Sequence, residues 1–393
     1  MLNNTKTIYM DYQATTPVDQ RVFDVMAPYF TKHFGNASSS VHSYGWIAEE
    51  AVKQAREGVA DILGATSPSE IVFTSGATES NNLAILGVAR RYPKKGRHLI
   101  TAATEHKAVL DPCKAWEAEG GSVTYLEVNS EGIISLEQLR KAITPGTILI
   151  SIMHANNEIG VIQPMAEIGQ IARAAGVLFH TDATQSAGKI PFNVEDIPVD
   201  LASMSGHKIY GPKGIGVLYV RRRGPRVSLM PLLFGGGHES GRRSGTLNVP
   251  GIVGFQAALR LSNQERVQEA SRVLKLRNKL WNNLNAQLEG LSLNGSDRHR
   301  LPGNLNFCVE NLEVSRLFQE IPHIAISSKS ACSSDSGTPS HVLTALGRSP
   351  EQAQSALRIG IGRFTTEEEV AKVANDLSAA IRKVKETSTQ FTP

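Results

Sequence analysis

Cysteine is scarce in this chain, with three in 393 residues: Cys113, Cys308 and Cys332. An odd set without paired spacing organises neither a disulfide framework nor a metal centre. One reactive thiol and two buried ones are the expectation. Long apolar runs are missing too, so no segment spans a bilayer as a helix. The first residues carry neither the apolar core nor the cleavage pattern of a secretory signal, and a cytoplasmic protein is expected. Excess charge is also absent. The formal net charge of +4 is small for this length and argues against nucleic acid as a main partner. Arg221-Arg222-Arg223 accordingly reads as a solvated strand end. There is no internal repeat and no low-complexity stretch.

What is present is the composition of a soluble enzyme, 41% hydrophobic and 20% charged, in a chain long enough for more than one domain. Strand-like and helical runs alternate from residue 71 to residue 220, the rhythm of βαβ units around a mainly parallel sheet. A helix is expected from Gly45 to Leu63, ended by Gly64, with Ile47, Ala51, Ala55, Val59 and Ile62 on its apolar side. A long amphipathic helix after residue 250 places Val267, Val273, Leu276, Leu280, Trp281 and Leu284 along one side. It would bridge a large domain to a smaller one. Strands are expected near 304–309, 323–326 and 356–361. A final helix opens on Thr366 with Glu369 at capping-box spacing and buries Val370, Val373, Leu377, Ile381 and Val384.

Three motifs carry chemistry in combination. Ser205-Gly206-His207-Lys208 lies between two strand-like runs, and a lysine held among small residues can form a Schiff base with an aldehyde cofactor. Taken alone, Lys208 reads equally as part of a basic surface turn. His180-Thr181-Asp182-Ala183-Thr184-Gln185 puts a carboxylate at the C-terminal end of a parallel strand, where open α/β sheets bind ligands. Thr74-Ser75-Gly76-Ala77-Thr78-Glu79-Ser80 joins a strand to a helix through small residues, which presents free N–H groups to a phosphate. Its plain alternative is an ordinary cap by Ser75 or Thr78. A base for the aldehyde, an acid for a ring nitrogen and a phosphate cup are the three needs of pyridoxal 5'-phosphate.

Ser-Gly-His-Lys with the upstream Asp-Ala-Thr-Gln resembles the NifS/IscS-type cysteine desulfurases. The likeness runs from Tyr12-Gln13-Ala14-Thr15-Thr16-Pro17 to Gly362-Arg363-Phe364. It implies a fold-type I α/β transferase. A large pyridoxal-phosphate domain would cover residues 15–262, and a small α+β domain residues 1–14 and 263–393. It implies conversion of L-cysteine to L-alanine, with the sulfur carried as a persulfide. Lys208 would hold the cofactor and act as base, Asp182 would face the ring nitrogen, and His106 would stack on the ring as a candidate acid/base. Gln185 would face the ring hydroxyl. Ala77, Thr78, Ser205 and His207 match phosphate ligands. Thr246, in a Gly-rich basic loop that otherwise reads as a surface connection, would reach the phosphate of a second subunit in a homodimer. Arg358 and Asn157 match the substrate-carboxylate pair, although Arg358 by itself reads as a strand-end salt bridge. A selenocysteine lyase and an aminotransferase are the neighbouring activities on the same scaffold.

The loop of about 327–340 has almost nothing to bury, so its Cys332 is not a packing residue. Cys113 and Cys308 read as structural. In the resembled family this loop form marks group I enzymes, whose cysteine takes the sulfur. Lys329 stands where the family commonly has glycine. A charge there would favour the thiolate, or the side chain is simply solvated. After Phe364 the chain has one helix and a short polar end. That leaves the sulfur acceptor open among an iron–sulfur scaffold, a tRNA-thiolation protein and another carrier.

Overall fold

The computed structural model describes residues 7–328 and 339–389. Among these residues twelve strands form three sheets. In chain order they are β1 Ile8–Tyr9, β2 Ile71–Thr74, β3 His98–Ala102, β4 Ser122–Leu126, β5 Thr147–Ser151 and β6 Leu178–Asp182. They continue as β7 Leu201–Ser205, β8 Gly216–Val220, β9 Leu291–Leu293, β10 Asn304–Val309, β11 Ile324–Ala325 and β12 Ala356–Gly360.

The large sheet has the order β2-β8-β7-β6-β5-β3-β4. All neighbours run parallel except β8, which is antiparallel to both β2 and β7. β2, β5, β7 and β8 are buried along their whole length because helices cover both faces. The period of two shows in β2 and β8. Ile71, Phe73, Val217 and Tyr219 pack into one apolar core with the helices Ser43–Leu63 and Val249–Gln287. Val72, Leu218 and Val220 face the other, with the helices Ala77–Arg91 and Lys107–Ala118.

The expected helix closed by Gly64 spans Ser43–Leu63, and Gly64 sits at φ 72, the left-handed cap that glycine adopts without strain. Ile47, expected on its apolar side, is instead 42% exposed, because Ala48, Ala51, Val52, Ala55 and Val59 form the buried stripe.

The helix Val249–Gln287 bridges two cores. Ile252, Phe255 and Leu259 pack under the large sheet. Val273, Leu276, Leu280 and Leu284 pack with β10, β12 and the helix Glu367–Thr389. Thirty-nine residues reach about 58 Å, enough for both. Val267, expected on the buried side, is 74% exposed, since it falls between the two cores. Ile8 and Met10 of the chain's start join the second core, where β1 pairs parallel with β11. The expected capping box forms: Thr366 N–H donates to Glu369 Oε2 at 3.1 Å, and Glu369 N–H to Thr366 Oγ1 at 3.2 Å.

Arg221 departs from expectation. It is 4% exposed, ion-paired to Glu195 at 2.7 Å and Asp200 at 3.4 Å, and donates from Nη2 to the Val194 carbonyl. An arginine that finds two carboxylates and a carbonyl can be buried at a strand end, whereas an unpaired one cannot.

Candidate active site

The C-terminal ends of β6 and β7, the start of the helix Ala77–Arg91 and one residue of β12 open on a cavity of about 500 Å³. Ten of the expected side chains line it: Ala77, Thr78, His106, Asn157, Asp182, Gln185, Ser205, His207, Lys208 and Arg358.

Lys208 follows β7 in a single tight turn, Gly206–Lys208. Its Nζ donates to the carbonyls of Gln13 and Ala14, each at 2.6 Å. Gln185 Nε2 donates to the same Gln13 carbonyl at 3.0 Å, and its Oε1 accepts from Lys189. Asp182, the last residue of β6, is 6% exposed. Its Oδ2 accepts from Asn81 Nδ2 at 2.7 Å and its Oδ1 from Thr184 N–H at 2.9 Å, so both oxygens are oriented.

His106 is the N-cap of the helix Lys107–Ala118, and its Nδ1 accepts from Ala108 N–H at 3.1 Å. The proton of the neutral ring therefore sits on Nε2. Burial, with smaller contributions from Lys208 and His341, holds the ring's pKa below the ordinary histidine value despite Asp182. His207 is pushed down to about 4, first by burial and then by Lys208, Lys213 and Lys189, and its Nδ1 lies 3.1 Å from Thr15 Oγ1.

The helix Ala77–Arg91 starts at Gly76, φ 155, without a side-chain cap. The capping alternative for Ser75 and Thr78 is thereby set aside, and Gly76, Ala77 and Thr78 of the uncapped start line the cavity. A methyl built on Gly76 would meet nothing closer than Ser205 Oγ at 3.9 Å, which leaves a cradle beside the helix start. Glu79 stands at its edge, with Oε2 accepting from Ser75 N–H at 2.7 Å and Oε1 from Arg243 Nε at 2.8 Å.

Arg358, on β12, is 2% exposed. The expected salt bridge exists, to Asp11 at 2.8 Å, and Nη1 donates to the Asn157 carbonyl at 3.2 Å. The same residue also lines the cavity. Thr246 is exposed and does not line this cavity. Cys332 and Lys329 lie outside the described residues. The flanks of their segment are described: Ser327 Oγ donates to Asp11 Oδ2 at 2.7 Å, and Ser340 Oγ to Glu158 Oε2 at 2.6 Å.

Asn81, Asp11 and Glu158 were not singled out from sequence. Asn81 sits four residues after Ala77 on the same helix face, the spacing that would have pointed to it. Asp11 and Glu158 act through partners 316 and 182 residues away, a distance no local pattern reports.

These residues fit pyridoxal phosphate. An amine, an oriented carboxylate and an uncapped helix start converge on one cavity, the donor set that its aldehyde, ring nitrogen and phosphate need.

Residues 8–373 match the aminotransferase class-V family model. The chain is 58% identical over 381 residues to a cysteine desulfurase IscS of Anaeromyxobacter sp. (strain Fw109-5), covering 97% of this chain and 94% of that protein. A solved NifS-like protein superposes with a TM-score of 0.89 at 39% identity, covering 96% of this chain and all of the other. SspA, solved in complex with cysteine, has a TM-score of 0.80 at 42% identity and covers 92% of this chain and all of the other. Likeness this high over nearly the whole length settles the family: the chain belongs to the aminotransferase class-V family, alongside proteins of the IscS and NifS type.

Proposed function

We propose that the protein is a pyridoxal-phosphate-dependent cysteine desulfurase that converts L-cysteine to L-alanine and leaves the sulfur on Cys332 as a persulfide. One observation carries it: Lys208, Asp182 and Arg358, from three separate strands or strand ends, face a single cavity beside an uncapped helix start.

The cofactor supplies a conjugated electron sink that weakens bonds at the substrate's α and β carbons. The chain's own residues do the rest. The helix start at Ala77 and Thr78, with Ser205 and His207, would hold the phosphate. Asp182, fixed by Asn81 and Thr184, would face the ring nitrogen and favour its protonated form. Arg358 and Asn157 take the substrate's carboxylate, for which a planar two-pronged cation is suited. Lys208 moves the proton at the substrate's Cα, and His106, with its proton on Nε2, serves as a second acid/base. The Cys332 thiolate takes the sulfur. The sum is L-cysteine plus Cys332–SH giving L-alanine plus Cys332–S–SH. A C–S bond breaks, an S–S bond forms and the displaced hydrogen ends on carbon, so no external oxidant is needed.

The same reading divides the chain at residues 15 and 263, as the two separate apolar cores support. It makes the protein a cytoplasmic homodimer in which Thr246 serves the partner's phosphate site. Phe23, Phe30, Phe34, Trp46 and Phe234 are exposed large apolar side chains, which a dimer contact would cover. The sulfur goes to an acceptor protein of the iron–sulfur scaffold kind. No helix among the described residues is long and apolar enough to cross a membrane.

The test is to follow alanine and sulfide after adding L-cysteine and a thiol reductant to the coloured protein. Equal amounts of both are expected. Colour without sulfide would move the activity to the aminotransferase or selenium readings.

A further inference from the structure

Arg358 is the only arginine lining the cavity among the described residues. Asp11, its ion-pair partner, does not line the cavity and reaches the guanidinium from outside it. Asp11 is held on both oxygens. Oδ1 accepts from Arg358 Nη2 at 2.8 Å and Oδ2 from Ser327 Oγ at 2.7 Å. The main chain fixes it as well. Asp11 bridges Gly360, and Tyr9 Oη donates to the Asp11 carbonyl at 3.1 Å. Arg358 in turn exchanges main-chain bonds with Ser327, and its Nε has no partner among the described residues.

The cavity's guanidinium is therefore charge-compensated before any substrate arrives. An incoming carboxylate gains Arg358 but meets Asp11 on the far side of the same ion. This matters because substrate and product share the group being bound. L-cysteine and L-alanine carry the same α-carboxylate, and a buried, uncompensated guanidinium would retain the product.

We propose that Asp11 is a positioning residue that sets the carboxylate affinity of Arg358, holding it low enough for L-alanine to leave. The proposal rests on the reading of Arg358 as the substrate-carboxylate site. Asp11 orients the guanidinium and weakens its hold on anions at once, and Ser327 moderates the second effect by drawing on Asp11's other oxygen.

Asp11→Asn tests this with the cofactor-loaded protein, since an amide keeps a hydrogen bond to each neighbour and removes only the charge. The dissociation constant for L-alanine, read by calorimetry, should fall about tenfold, the scale of one charge removed at short range in a partly buried site. Inhibition of sulfide release by alanine should tighten in parallel, KM for L-cysteine should fall, and propionate should become an inhibitor. Unchanged or weaker alanine binding would overturn the proposal. A merely structural Asp11 would lower the melting temperature without tightening alanine. If Asp11→Asn fails to fold, Ser327→Ala gives the opposite sign. Asp11 then bears more fully on Arg358 and alanine binds about two- to threefold more weakly, whereas tightening or no change refutes the idea. Arg358→Gln separates the two layers. If it leaves both amino acids bound as before, the reading of Arg358 falls, and the proposal with it. If it abolishes binding while Asp11→Asn changes nothing, only the role of Asp11 falls.

Discussion

Asn81 Nδ2 lies 2.7 Å from Asp182 Oδ2, a buried amide turned onto a carboxylate 101 residues away. With Thr184 N–H on the other oxygen, it fixes the direction in which Asp182 faces the cavity. Asn81 is fully buried and its own Oδ1 has no partner among the described residues. A site that leaves an amide oxygen unsatisfied in order to aim its N–H has put the carboxylate's orientation first.

Asn81→Ala should therefore weaken cofactor binding more than folding. A hydrogen bond to a charged group contributes about 1.5–3 kcal/mol, so the dissociation constant should rise on the order of tenfold or more. An absorbance titration of the apoprotein measures this. Retained affinity in Asn81→Ala would mean that Thr184 alone suffices.

Gly360 tests the strap that holds Lys208. A methyl built there would lie 1.9 Å from Gln13 Oε1 and 2.6 Å from Tyr12 N. The Gln13 carbonyl accepts from both Lys208 and Gln185. Gly360→Ala should cost about 1–3 kcal/mol by overpacking and displace the carbonyl from Lys208. Slower cofactor uptake at 25 °C, beside a Gly146→Ala control whose methyl meets only Thr144 Oγ1 at 3.8 Å, is the readout. Equal uptake in the two variants would uncouple Gln13 from the lysine.

Thiol labelling separates the cysteines. Cys113 is buried and its thiol is pushed up to about 12 by burial, then by Glu105 and Glu117. Cys308 is buried, with its thiol raised by burial and donating to Asn294 Oδ1 at 3.3 Å. Iodoacetamide at pH 8 should modify one thiol of the native protein, Cys332, and three after denaturation, as counted by mass spectrometry. Cys332→Ala should lose native labelling and nearly all sulfide release while keeping its colour. Native modification at Cys113 would show that the large domain opens.

What was legible in the sequence had local cause. Lys208 and Asp182 sit at strand ends, where periodicity stops and polar residues cluster, whereas His106 and Gln185 are singled out by the resemblance alone. The two buried cysteines followed from their apolar neighbours. What was not legible depends on charge meeting charge across the fold. Arg221 read as solvated because nothing near it in sequence reveals Asp200 and Glu195 beside it. Arg358 offered a salt bridge or a substrate ligand; the pairing of Gly360 with Asp11 brings the salt-bridge partner beside it, and the cavity it lines is assembled from segments far away in sequence. The antiparallel insertion of β8 was equally hidden, since a strand buried on both faces has the same composition in either direction.

Two buried histidines give the protein an acid limit. His180 is fully buried in β6, its Nδ1 2.8 Å from Ser151 Oγ and its Nε2 2.9 Å from Ser203 Oγ. Burial pushes its pKa down to about 4, against a smaller opposing pull from Asp182. His154 is also pushed down to about 4 by burial, and its Nδ1 has no partner among the described residues. A depressed histidine favours the neutral ring in the folded state. Its contribution is therefore complete above the unfolded value near 6.5 and is lost as pH falls towards 4. Each such ring adds up to about 1.4 kcal/mol of lost stability per pH unit inside that window. Urea midpoints should hold between pH 7 and 8 and drop steeply between pH 6 and 4.5. His154→Leu should flatten the drop, because it removes a titrating group that no hydrogen bond on Nδ1 depends on. A wild-type midpoint that stayed level down to pH 4.5 would mean that both rings accept protons without strain, with the serines around His180 turning to receive them.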